Sequence, residues 1–575
     1  MYRMPEFLKK RCRAGFLPIL LSLSIFFSAC GAPAGSGSGA EETPSLALPD
    51  TVSIASTNPL LSLNPFLMDA SEIMKYATSL AFLPLVDLNE NNEFVYVLAK
   101  SVETEDKLTY TIKLDPEAVW SDGEAVSSED LAFTILRLTA EGIGNTTIAP
   151  WAPLDGLDSS AHHADSDTSL PGVVVVDDKT LQLVFRSPMQ PNTVLNSLLR
   201  YLQPVPRHKL ADLSVEELRT TDWFQTPDVV SGPYRSVEVD TSHYVVYRAN
   251  EAYWRGKPRI PKLVLRLYTD GAALLPALKS GELDFVQQTL ASFPQADLAS
   301  LEDLANADVQ YDKPLTNQLL FINTKKFPDQ RIRKAIQMAI NRPMLLENFL
   351  NGHGEVVDGF INSSSLYTHG GEVASYDPGA ARALVEESGW DRNQVLDFRI
   401  NSGDPGMVLA ADVIVNMLAE IGIKAQVRKM DLNNLLESAG KHDFDLLAVQ
   451  YTLAPVDPYP DVAWLTTGEN WSLYQNREVE ACVAALAEAK DEAASRELYA
   501  RIDQHMAEDV PMINLYVISA PGVVSKRLRH ARALTYGSFL NIHEWTIGGE
   551  PVDSASASDG AAAASAAPAV SGKDA

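Results

Sequence analysis

Few clusters in this sequence have the residue types and spacing that chemistry needs. His162 and His163, with Asp165 and Asp167 just after them, carry donors suited to a divalent metal. They lie in Asp158–Ser169, a polar stretch with no helical or strand period, and read as a solvated insertion loop. Asp87-Leu-Asn-Glu-Asn opens like a calcium loop. Its sixth position is Asn92 rather than Gly, and Leu98 stands where a bidentate Glu belongs. No nucleophile elbow G-x-S-x-G, no phosphate loop G-x-x-x-x-G-K and no H-E-x-x-H occurs. The three cysteines, Cys12, Cys30 and Cys482, are too few for a disulfide framework or a zinc site. Cys482 sits in the helical run Val479–Ala489 and reads as a small buried hydrophobe. The expectation is therefore no enzyme, no catalytic residue, no metal and no cofactor.

Cys30 is different because of what precedes it. Lys9–Arg13 is basic, and Phe16–Phe27 is apolar but too short to span a bilayer comfortably. The run ends in Phe27-Ser28-Ala29-Cys30-Gly31, which resembles the lipobox of bacterial lipoproteins, with Phe27 in place of the usual Leu. The resemblance implies a signal peptide over residues 1–29 and a diacylated Cys30 as the new N-terminus. An ordinary secretory cut near Ala34, after Ala32-Pro33, is the alternative. Gly31–Thr43 is rich in Gly, Ser and Ala, a composition that makes a flexible tether. Two acyl chains suffice for stable anchoring. The formal net charge is −28, and removing residues 1–29 leaves 42 basic and 74 acidic side chains. So acidic a surface repels nucleic acid and anionic headgroups, and suits a body tethered outside the cytoplasm.

The elements that must hold any site interleave helical and strand patterns, which predicts an α/β or α+β body from about Asp50 to Val552. Thr109–Leu114 alternates strictly, with Tyr110, Ile112 and Leu114 on one face. Ser127 and Asp130 form a near capping box ahead of Leu131, Ile135 and Leu138. Val173–Val176 and Leu181–Phe185 flank a polar turn as a hairpin. Asp329 opens a helix with Ile332, Ala335, Ile336, Ala339 and Ile340 on one stripe. Asp377, Pro378 and Gly389 are start and stop signals for another, and Met407–Ile421 is a third long helix, ended by Gly422.

The order of these segments and their turn residues resembles the extracellular solute-binding proteins of family 5, the peptide-binding proteins of ATP-binding-cassette importers. The sharpest match runs from Leu108 to Asp130, where an alternating strand leads into Trp120-Ser-Asp-Gly-Glu-Ala-Val-Ser-Ser-Glu-Asp130, like the family's W-S-D-G-x-x-V-x-x-x-D. Pro204-Val-Pro-Arg-His208, Ser231-Gly-Pro-Tyr234, Asn250 to Pro258, Leu278 to Asp284, Asn323 to Arg342 and Tyr376 to Trp390 match further motifs in the same order. Together they span about Thr51 to Thr546.

The resemblance implies a type II periplasmic-binding-protein fold, two lobes with a hinge and an extra subdomain in the first lobe. Lobe I is expected from 50–84, 208–317 and 519–552, the extra subdomain from 85–207 and lobe II from 318–518, after a tether at 30–49 and before a disordered tail at 553–575. Crossovers are expected near Pro314–Phe321 and Leu515–Pro521. It also implies a monomer that hands ligand to permease subunits, with ATP hydrolysis in another chain.

For ligand residues the resemblance points to Tyr451, Gln450, Ala454, Asp457, Leu83 and Tyr516. Two positions depart from the family. Ala454 replaces the acid that holds a peptide's α-ammonium, and Leu83 replaces a second acid. Asp457 or Asp461 could substitute. Three ligand classes stay open: peptides held through their backbone, blocked or modified peptides, and non-peptides such as a sugar, an opine or a metal chelate. Peptide is favoured because it is the family's commonest ligand. A surface-anchored enzyme or adhesin is the alternative from another class.

Overall fold

A computed structural model describes residues 49–69, 71–489 and 491–548. The signal segment, Cys30, the tether short of residue 49 and the tail 553–575 lie outside the described residues.

Local rules explain where the elements begin and end. In Thr109–Leu114 the alternation delivers Tyr110, Ile112 and Leu114 to the core. Helix Ser128–Leu138 starts at a complete capping box, in which Ser127 Oγ accepts from Asp130 N (3.2 Å) and Asp130 Oδ2 accepts from Ser127 N (2.9 Å). The second Asp130 oxygen accepts from Arg207 N at 2.8 Å, so one carboxylate ties the helix start to a segment far along the chain. Gly123, at φ +95°, turns the chain between buried Trp120 and this helix. Helix Pro405–Glu420 begins two residues before the expected Met407. Asp404 caps it by accepting from Met407 N (3.0 Å), with Pro405 at the first helical position.

Two large sheets organise the body. The seven-stranded sheet runs, in spatial order, Ala307–Tyr311, Pro521–Ser525, Phe285–Val286, Thr51–Ser56, Lys262–Leu267, Tyr244–Ala249 and Tyr234–Asp240. Thr51–Ser56 is parallel to both neighbours, and the outer pairs are antiparallel. The six-stranded sheet runs Gly354–Glu355, Met512–Ile518, Thr316–Ile322, Leu446–Thr452, Val395–Asn401 and Lys424–Met430. A four-stranded antiparallel sheet, Ala99–Glu103, Thr109–Leu114, Thr180–Val184 and Val173–Asp177, stands apart from both. Each large sheet is covered on both faces by its own apolar clusters, and the four-stranded sheet packs into a further one.

The chain passes between the two large sheets twice, at 312–315 and at 519–520. The two passages lie side by side: Leu315 N donates to Ile518 O at 3.0 Å, and Ser519 Oγ bonds Asp312 O. Everything from 316 to 518 is thus built on one sheet and joined to the rest by a short double connection.

The 158–169 stretch corrects one expectation. His163 is buried, with Nδ1 2.8 Å from Ala164 O and Nε2 2.7 Å from Leu136 O. Leu136 lies in the last turn of its helix, where carbonyls have no intrahelical donor, and the imidazole serves that end. Asp165 and Asp167 are exposed, as a solvated loop requires.

Candidate functional site

Three of the expected ligand residues come together after the central strand Leu446–Thr452. Tyr451 is the last residue but one of that strand, the loop through Ala454 and Asp457 follows, and helix Tyr459–Thr466 brings Asp461 back over the loop. Asp461 Oδ1 accepts from the Tyr451 hydroxyl (3.0 Å), and Oδ2 accepts from Ala454 N (3.2 Å). Asp457 is 6% exposed and accepts from Thr193 Oγ at 2.8 Å. Burial pushes the Asp457 carboxyl up to about 6 and also raises Asp461. Neither forms an ion pair with a basic side chain among the described residues. Tyr451 stacks on Trp464 with centroids 5.8 Å apart and planes at 10°, and Trp464 meets Trp471 edge-on at 4.8 Å. Trp464 is nevertheless 42% exposed, so the aromatic surface faces outward beside the two acids. The arrangement suits a group that is cationic at one end and apolar behind it.

This region is also a seam. Asn192 Nδ2 donates to Val456 O and to the Tyr367 hydroxyl, both at 3.0 Å. Gln190 Nε2 donates to Ala487 O (2.6 Å) and Lys107 Nζ to Ala489 O (3.1 Å). Asn92 Nδ2 donates to Ser364 O (2.7 Å). A stretch carrying the four-stranded sheet therefore clasps the half built on the six-stranded sheet, and Asp457 sits within the clasp.

Gln450 and Tyr516 lie on the other face of the six-stranded sheet, one strand to each side of Gln318. Gln450 is exposed and its amide donates to Asp404 Oδ2 at 3.1 Å; Tyr516 is buried. Leu83 belongs to the apolar cluster that also takes in Val456, from the loop between Ala454 and Asp457. It is 7% exposed, donates its N–H to Ser231 Oγ (3.0 Å), and borders a cavity of about 30 Å³ shared with Tyr76, Asp87 and Tyr253. That is room for a water or two, not for a solute. Asp87, which opened the calcium-like stretch, is occupied by Lys75 Nζ (2.6 Å) and Arg200 Nε (2.9 Å). Among the described residues no group of three or more His, Cys, Asp or Glu is placed to hold a metal ion.

Thr193, Trp464, Asp404 and Gln318 are missing from the sequence reading. Asp404-Pro405 was a legible helix start, and a Gln ahead of Leu-Leu-Phe-Ile was a legible oddity in a buried strand. Nothing local marks Thr193, whose partner is 264 residues away.

Two lobes joined by a double connection, with a seam of polar and aromatic groups between them, define a solute-binding protein. The family model for bacterial extracellular solute-binding proteins, family 5 (middle region), matches residues 93–472, and the chain belongs to that family. A Brucella ovis protein named for ABC transporter peptide binding is 28% identical over 364 residues, covering 61% of this chain and 63% of that one. Oligopeptide-binding protein AppA of Bacillus subtilis is 22% identical over 556 residues, 92% of this chain and 98% of AppA. Its structure with a nonapeptide superposes with a TM-score of 0.65 at 20% identity, covering 87% of this chain and 99% of that one. NikZ of Campylobacter jejuni, solved with Ni(L-His), gives 0.66 at 20% identity, covering 87% and 100%. The fold is the type II two-lobed binding-protein fold. Among the described residues no helix is long and apolar enough to cross a membrane.

Proposed function

We propose that this chain is the solute-binding subunit of an ATP-binding-cassette importer, held outside the cytoplasm by a lipid on Cys30. It captures peptides between its lobes and delivers them to the permease; it acts by binding and not by catalysis. Lobe I is 50–84, 208–315 and 519–552 with 85–207 as its extra subdomain, and lobe II is 316–518, starting two residues before the expected 318 because Thr316 and Asn317 already pair with Thr452 and Tyr451. Closure brings the lobes onto the ligand, whose contacts to both sides favour the closed population.

The observation that carries the peptide reading is the pair Asp457 and Asp461, two largely buried carboxyls with no basic partner among the described residues, beside the Tyr451–Trp464 stack. An ammonium between them supplies the missing charge and relieves their mutual repulsion. They would thus take over the task of the acid that Ala454 lacks. The names of the Brucella and Bacillus relatives agree with a peptide ligand. The Ni(L-His) bound by NikZ favours a metal chelate as the second reading.

Calorimetric titration with short alanine peptides, free and N-acetylated, at pH 7.5 tests this. Acetylation should weaken binding at least about tenfold, and Asp457→Asn should remove most of that difference. A ligand at 100 times its Kd should stabilise the fold by about 2.7 kcal/mol. Equal binding of free and acetylated peptides would dismiss the acid pair as an ammonium site. Binding of Ni(L-His) but of no peptide would replace the peptide reading with the chelate one.

A further inference from the structure

Gln318 is the buried amide that the protein itself leaves without a partner. It is 0% exposed, and among the described residues it is the one buried amide whose Oε1 and Nε2 both lack a hydrogen bond. Its place in the sheet explains where it points. On the antiparallel strands to either side it stands directly opposite Gln450 and Tyr516, and opposed residues share a face. A bulge beside Gln318 makes this possible. Without it Tyr516 would alternate onto the far face with Asn514, but the register shift between Gln318 and Leu319 returns it to the near one.

Above this row stands the start of helix Pro405–Glu420. Asp404 caps the helix and accepts the Gln450 amide. The other half of the molecule reaches the same place: a side chain on Gly406 would begin 3.9 Å from Gln295 Oε1. Gln295 belongs to the segment between two strands of the seven-stranded sheet. The group therefore holds three amides, a phenol and one carboxyl, contributed from the two large sheets' halves, and among the described residues no basic side chain acts on Asp404 or Tyr516. A carboxylate brought here would be desolvated without a counter-charge. A neutral group with a donor and an acceptor would be matched, because a free carboxamide offers both.

We propose that Gln318, with Gln450 and Tyr516 beside it, is the floor of a subsite that receives a backbone amide of a bound peptide. Oε1 accepts the ligand's N–H and Nε2 donates to its carbonyl. The subsite rests on the peptide reading above and adds to it a position where recognition is of the main chain, and so tolerant of side chains.

The test uses hexa-alanine and the series of esters in which one N–H at a time is replaced by oxygen, titrated into the wild-type protein and into Gln318→Leu and Gln318→Met. One ester should bind wild type about tenfold more weakly than the amide. Both variants should bind that ester and hexa-alanine equally, with ligand-free melting temperatures no lower than wild type. If wild type binds hexa-alanine and either folded variant keeps the same amide-to-ester ratio at every position, Gln318 is a structural amide and the subsite is refuted. If wild type binds no member of the series, the peptide reading itself falls and takes the subsite with it.

Discussion

At Asp457 charge and burial conflict. Its carboxyl titrates near 6 in the folded protein because burial disfavours the ion, against about 3.8 ordinarily. The folded state then keeps a proton that the unfolded state gives up between about pH 4 and 6. Stability is therefore lost as pH rises through that window, and the loss is complete above it. Asp457→Asn removes the ionisation. At pH 7 the variant should be about 3 kcal/mol more stable than wild type, because the carboxyl titrates near 6 folded against 3.8 unfolded. At pH 4 the two should unfold alike. Denaturant unfolding of both proteins at the two pH values decides it, and an equal gap at both would mean that Asp457 is not the group responsible. The same substitution should weaken binding of free-amine peptides, so stability and affinity move in opposite directions at one atom. Residue identity alone could not convey this. Asp457 reads as one more acid in an acidic chain until Thr193 and the folded-back Asp461 enclose it.

At the scale of elements, the clasp of Gln190, Asn192 and Thr193 on the 456–457 and 487–489 backbone is the contact that closure would make or break. Asn192→Ala loses two bonds and leaves Val456 O and the Tyr367 hydroxyl to water. Each such bond contributes about 1 kcal/mol net. Peptide affinity should fall about thirtyfold, chiefly through faster dissociation, with little change in the ligand-free melting temperature. Stopped-flow tryptophan fluorescence would read this, and an unchanged off-rate would assign the clasp to static packing. The individual elements were largely legible. Alternation gave Thr109–Leu114, and cap residues gave the starts at Ser127, Asp329 and Asp377. The site was only half legible. Tyr451, Ala454 and Asp457 are neighbours in sequence and remained so in space. Gln450 and Tyr516 join through a bulge that no local pattern announces, and Leu83 reaches the site loop only through the apolar cluster it shares with Val456.

Across the whole molecule the two-sheet division follows from collinear motifs, while tertiary pairings such as Asn92 with Ser364 have sequence separations that no periodicity can encode. The proposed anchor belongs to this scale as well. Cys30→Ser should move the protein from the membrane fraction to the soluble extracytoplasmic fraction, with peptide affinity unchanged. Retention of the variant in washed membranes would place the attachment elsewhere.

Thr316 and Ile518 are paired neighbours in one sheet, so the stretch between them leaves the rest of the chain and returns to it at nearly the same point. Its two ends already touch. A gene segment encoding it can be swapped between relatives as a cassette, with two short splice points and no threading of the chain. New binding preferences could then arise by exchange of one jaw while the other keeps its fold.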